Sequence, residues 1–327
     1  MLKSPLGALA ALVLLVTPLS AAPAPLQPIL PGGVIVPLYP ETSPRLNAAR
    51  LGEAETLNRS TKNPARIQSI VNIHYPSLEF HGVDAAANTG TAIIVVAGGG
   101  HRTLNVGPEG ADLAPWLAKL GVNTIILRNR LRSDGYNLEK DAMPEALQAI
   151  RLVRSRAKAW KLDPTRIGIV GFSAGAELAA WTAVYFADDD QRARAENDPL
   201  AAFSSRPDFV GLIYPGPTPF TKNPDLPIAR NAPPSFITSA GSGDRVHAIW
   251  ADHYFAAMLK AGIPNLEMHI YGNGVHAGSI GERNGIPFGK WPERFVEWFR
   301  DLGFLSPSGT ETKAARDLTD FQKKPVK

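Results

Sequence analysis

Apolar residues in this chain follow two rhythms. From Thr91 to Ala97 they run almost without interruption and are largely β-branched, the pattern of a strand buried on both faces. Val122 to Leu127, Arg166 to Val170, Phe209 to Tyr214, Ser235 to Ser239 and Leu266 to Tyr271 repeat that pattern. Between these runs the period becomes helical. Glu109 to Leu120 predicts a helix closed by Gly121. Met143 to Trp160 predicts a longer one, with Ala146, Leu147, Ile150, Val153 and Ala157 on its apolar stripe. Its arginines Arg151, Arg154 and Arg156, with Lys158, are expected on the solvated side. Further helices are expected after Ser173, over Ala248 to Ala261 and over Trp291 to Leu302. Strands alternating with helices imply an α/β fold: a mostly parallel central sheet with helices on both faces. Such sheets carry their chemistry at the carboxyl ends of the strands.

The flanks read differently. Residues 1–22 have the pattern of a secretory signal: Lys3, an apolar Leu6 to Val16, then Ser20, Ala21 and Ala22. The expected product is exported, periplasmic or secreted. Residues 23–66 are Pro-rich and read as an irregular arm laid over the domain. Ile70 to Tyr75 and Leu78 to Val83 suit an antiparallel pair broken at Pro76. Residues 187–207 read as a polar surface insertion, in which Asp188, Asp189 and Asp190 form a solvated helix end rather than a calcium loop. Residues 67–305 are the expected domain, and 306–327 a polar tail without order.

Composition narrows the chemistry. The chain has 327 residues, enough for one large α/β domain, and its net charge of +4 comes with no long basic run. No nucleic-acid partner and no later membrane span are expected. There is no cysteine, which removes thiol nucleophiles and thiolate metal sites. Any nucleophile must be an oxygen.

One motif supplies it. Gly171-Phe172-Ser173-Ala174-Gly175 reads G-x-S-x-G, between the strand-like Arg166 to Val170 and the helical Glu177 to Ala183. That context is what a nucleophile elbow requires. Ser173 would project above the strand ends, with the Ala174 amide aimed at a developing oxyanion. Gly98, Gly99 and Gly100 close the Thr91 run, and amides of Gly99 or Gly100 would complete the hole. A serine needs a histidine base, and the histidine a carboxylate. Of seven histidines, His276 lies in a Gly/Asn-rich loop after the last expected strand. Asp244 follows Ser235 to Ser239 in a glycine loop, with helix capping as its competing role and Asp252 and Asp225 as weaker alternatives. His247, three residues after Asp244, is expected to line the pocket and to affect affinity. His101, Arg102 and Glu177 are further pocket candidates. No cofactor or metal is called for.

These stretches resemble the α/β-hydrolase superfamily, and within it the bacterial acetyl xylan esterase or xylanase-B-like carbohydrate esterases related to feruloyl esterase domains. The resemblance is carried by Val95 to His101, Glu109 to Leu117, Asp141 to Ala157 and Asp163 to Gly175, and spans roughly 68–303. It implies a triad of Ser173, Asp244 and His276 and a short-chain acyl ester of a polysaccharide such as xylan, or a small molecule, as substrate. The chain departs from the family at Ala176-Glu177, where members often have Gly-His, and at Pro108, where they often have His. A peptidase of the prolyl-oligopeptidase type and an inactive binding fold are the alternatives.

Overall fold

The computed structural model describes residues 22–277, 280 and 285–325. The leader expected over 1–22 lies outside them, apart from Ala22. The strands are β1 (Val34–Pro37), β2 (Thr56–Arg59), β3 (Ile67–Val71), β4 (Ser77–His81), β5 (Ala92–Val96), β6 (Asn123–Arg128), β7 (Ile167–Phe172), β8 (Val210–Ile213), β9 (Ser235–Ser242) and β10 (Glu267–Asn273). The helices are α1 (Ala114–Lys119), α2 (Met143–Arg156), α3 (Ala174–Ala195), α4 (Pro219–Lys222), α5 (Arg245–Lys260), α6 (Trp291–Asp301) and α7 (Lys313–Lys323).

Eight strands form one sheet in the order β1-β4-β6-β5-β7-β8-β9-β10. From β6 to β10 every pairing is parallel, while β4 and β1 add antiparallel strands at one edge. Each parallel strand sends alternate side chains to opposite faces. In β5, Ile94 and Val96 join the core under α2, α3 and α5, whereas Ile93 and Val95 face the aromatic core of Phe209, Trp291, Phe295 and Phe299. Both faces are covered, which is why this strand is apolar throughout. Each such side chain contributes about 1.5–3 kcal/mol on burial. Among the described residues no helix is long and apolar enough to cross a membrane.

Several expectations change. The arm is not irregular throughout: β1 lies within it and pairs with β4. The two runs around Pro76 do not pair with each other; β3 pairs with β2, and β4 inserts between β1 and β6. The arm is held by Glu79, a fully buried carboxylate on β4. It accepts from the amides of Ile29 and Leu30 at 2.6 and 2.9 Å and from Arg128 at 2.5 Å. Burial opposes its charge, but these bonds and one from His81 outweigh burial and hold the Glu79 carboxyl below its usual range.

The acidic run is not a solvated helix end. Asp189 and Asp190 lie within α3 and both take Arg151 of α2, at 2.7 and 2.8 Å. Arg151 is itself 1% exposed, and it also donates to the Phe203 carbonyl. Arg154, one turn position on, bonds the carbonyl of Arg206 and the carboxylate of Asp208. The supposed solvated side of α2 is thus the seat of segment 187–207. The described part of the tail, 306–325, carries a helix as well. Thr312 caps α7, and Ala314, Asp317, Leu318 and Phe321 turn inward at helical spacing. Buried Arg166 accepts this segment by bonding the carbonyls of Ser306 and Pro307.

Candidate active site

The carboxyl ends of β5, β7, β9 and β10 converge. Ser173 begins the turn from β7 into α3, with φ 52° and ψ −118°. Its carbonyl accepts from the amides of Ala176, Glu177 and Gly216 at 3.0, 3.1 and 3.0 Å, and its own amide donates to the Ile213 carbonyl at 2.9 Å. These bonds hold a conformation that costs a non-glycine residue on the order of 1–3 kcal/mol. Gly175 is required next to it: a Cβ there would stand 2.1 Å from the Val96 carbonyl oxygen. The helix start is therefore pressed against the end of β5, where Gly98 to Gly100 lie.

The Ser173 Oγ is 2.8 Å from the Nε2 of His276, and the Nδ1 of His276 is 3.0 Å from an Asp244 carboxylate oxygen. Asp244 occupies the cap position of α5 but makes no side-chain capping bond, so its carboxylate is left to the histidines. Burial opposes its charge, yet hydrogen bonds from His247 and His276 hold the Asp244 carboxyl below its usual range. A carboxylate on Nδ1 fixes the tautomer with Nε2 free to accept a proton. The edge of Tyr214 packs against His276, with ring centroids 5.1 Å apart.

On the β5 side, Gly99 adopts φ +131° and Gly100 φ +63°. The amide of Gly98 is taken by Glu109 at 2.7 Å. Those of Gly99 and Gly100 donate to no acceptor among the described residues. Ala174 is the first residue of α3, whose opening amides lack intrahelical acceptors. Gly100 and Ala174 line the same cleft as the serine.

A cleft of about 660 Å³ opens over Ser173. His101, Glu177 and His247 line it. His101 bonds Glu177 at 2.9 Å across the cleft wall. Arg102 is exposed and does not line the cleft. Sequence reasoning passed over Trp250, Tyr136, Arg132, Asn137 and Lys222, which line it as well. Trp250 had a signal, for it lies one turn beyond His247 on the same helix. Tyr136 had none: buried His74 holds its hydroxyl at 2.8 Å, a contact between distant loops. Glu109 and Tyr214, hydrogen-bonded to each other at 2.8 Å behind the glycine loop, were also missed.

His247 also meets the other two residues of the constellation. Its Nδ1 is 2.5 Å from the second oxygen of Asp244, and its ring stacks on His276 at 3.7 Å and 18°. Donor atoms of Asp244, His247 and His276 lie within 4.8 Å of one another, as a metal site would need, and their mutual hydrogen bonds account for that convergence.

Residues 140–276 match the family described as alpha/beta hydrolase fold. The acetylxylan esterase of Xylanibacter ruminicola is 28% identical over 244 residues, 66% of this chain and 45% of that protein. The chain thus spans under half the length of that relative. The solved acetyl ester-xyloside bifunctional hydrolase from Caldicellulosiruptor lactoaceticus superposes with TM-score 0.64 at 25% identity, over 83% of this chain and 97% of the other. The carboxylesterase Cest-2923 from Lactobacillus plantarum gives TM-score 0.60 at 20% identity, over 71% and 94%, a likeness of fold alone. With its parallel sheet, its elbow and these relatives, the chain has the α/β-hydrolase fold and resembles the bacterial acetyl xylan esterases.

Proposed function

We propose that this protein is an exported serine esterase that removes short acyl groups, acetyl above all, from plant polysaccharide such as xylan. The observation that carries the reading is the chain of hydrogen bonds from Ser173 Oγ through His276 to Asp244, at 2.8 and 3.0 Å. Ser173 attacks the ester carbonyl carbon while His276 Nε2 takes its proton. The carbonyl oxygen becomes an oxyanion held by the amides of Ala174 and of Gly99 or Gly100. The C–O bond to the sugar breaks, and His276 returns the proton to the departing alcohol. Water then attacks the acyl-enzyme through the same base, releasing acetate and restoring Ser173. Asp244 orients His276 and stabilises its charged form. The polar side chains in the cleft lining, Arg132, Asn137, Lys222 and His247, suit a hydroxyl-rich leaving group better than a lipid chain. Export rests on the leader pattern of residues 1–22.

The test is acetate release from acetylated xylan, pectin and small sugar acetates, with Ser173→Ala as control. We expect release from xylan and a loss of about 10³-fold or more in the variant. Near-normal turnover by folded Ser173→Ala protein removes the triad. Cleavage of amides but not esters favours the peptidase alternative. N-terminal sequencing of protein recovered outside the cytoplasm tests removal of the leader.

A further inference from the structure

We propose that His247 is a positioning residue for the base, holding the plane of the His276 ring. The inference rests on the Ser173–His276 reading above and goes beyond the place of His247 in the cleft lining. His276 lies three residues beyond the end of β10, in the loop that Gly274 and Val275 open. Its side chain is 33% exposed. One bond from Nδ1 to Asp244 fixes a point on the ring and leaves the ring free to turn about it. Two further contacts remove that freedom. The ring of Tyr214 packs against His276 at a steep angle, and the ring of His247 lies nearly parallel to it.

His247 is itself fixed on three counts. It stands on α5, one turn after the cap residue Asp244, so its side chain reaches back to that position. Its Nδ1 takes the carboxylate oxygen that His276 leaves. Trp250, on the next turn, packs edge to face against it, with centroids 5.0 Å apart at 84°. A rigid helix thereby supplies both the carboxylate and the plane on which a loop histidine rests. With both oxygens of Asp244 engaged, the carboxylate cannot rotate, and the direction of His276 Nε2 toward Ser173 follows.

The experiment uses the full protein in four forms: wild type and His247→Ala, His247→Phe and His247→Asn. Phenylalanine keeps the stacking face and loses the bond. Asparagine keeps an N–H donor and loses the face. Two readouts are taken, steady-state turnover of an acetyl ester and the rate of Ser173 labelling by a phosphonate. For His247→Ala we expect kcat to fall by about tenfold to a hundredfold, the scale of a small misplacement of a reacting group, with KM changed by less than about threefold. Labelling should slow in parallel, and Phe and Asn should each restore part of both. A raised KM with kcat retained, or labelling of His247→Ala at the wild-type rate, overturns the proposal. Should the alanine variant fail to fold, the same two readouts on Phe and Asn decide it. A wrong substrate class would appear as poor wild-type turnover, not in the ratio of labelling rates.

Discussion

Removing Arg151 tests whether the acidic run of α3 is a buried ionic junction. The guanidinium is 1% exposed and meets Asp189, Asp190, Gln148 and the Phe203 carbonyl at 2.7, 2.8, 3.0 and 3.0 Å. A charge pair about 4 Å apart gains roughly 4 kcal/mol of gross attraction at an effective dielectric near 20. Desolvation offsets much of this, so the net figure is what truncation leaves behind: about 3–5 kcal/mol for an orphaned buried charge. Both aspartates keep other partners, Arg192 for Asp189 and Ser204 and Ser205 for Asp190. That places Arg151→Ala at the lower end, about 3 kcal/mol. The cost should depend on pH. Burial already raises the Asp189 carboxyl above its ordinary value, against the pull of Arg151. Without Arg151 the folded value rises further above the unfolded 3.8, so protonation on acidification relieves the variant. Urea unfolding at pH 8 and pH 5 should give a larger difference from wild type at pH 8. A difference under about 1 kcal/mol, the range of exposed pairs, or one equal at both pH values, would refute the reasoning. Asp189 lies 15 residues beyond Ala174 along α3, about 22 Å at helical rise, so kcat of the folded variant should be unchanged.

Three more expectations follow from the same geometry. Glu79→Ala strands the amides of Ile29 and Leu30 and leaves Arg128 short of one carboxylate; a loss of about 3 kcal/mol is expected, with limited proteolysis opening first near residue 30. Because the Glu79 and Asp244 carboxyls are held low in the folded state, their contribution is present above about pH 4.5 and disappears as pH falls through their folded values; an acid titration by circular dichroism should show a shallower transition in Asp244→Asn. The polar cleft predicts that kcat/KM for 4-nitrophenyl acetate exceeds that for the octanoate by at least about tenfold, and a preference for octanoate would overturn the acetyl reading.

The parallel half of this fold was legible because its signals are local. Each buried strand is a short apolar run, and the turn chemistry of Gly171 to Gly175 names its own geometry. The chain order of Ser173, Asp244 and His276 needed only strand ends. What escaped is polar and long-range. Arg151 sits on the hydrophilic side of α2 by periodicity, and nothing in the helix tells that a segment some fifty residues later covers it. Glu79 and Arg128 look like surface residues until the arm is laid across them. β1 is short and ends in Pro37, so its pairing is set by tertiary contact rather than propensity. The α7 stripe was hidden by the charged residues around it. The bond of His247 to Asp244 was not read, because a spacing of three was compared only with strand ends, whereas cap and third helical position face each other across one turn.

The elbow sets two demands against each other at a single residue. Ser173 holds φ 52° and ψ −118°, outside the regions a side chain prefers. Glycine could adopt those angles without the steric penalty, so Ser173→Gly should raise the unfolding midpoint, by up to about 1–3 kcal/mol of relieved strain, while abolishing turnover. A population of this protein screened for heat resistance alone would drift toward the inactive form. On the proposed mechanism, only a screen that also demands turnover would retain the serine at this angle.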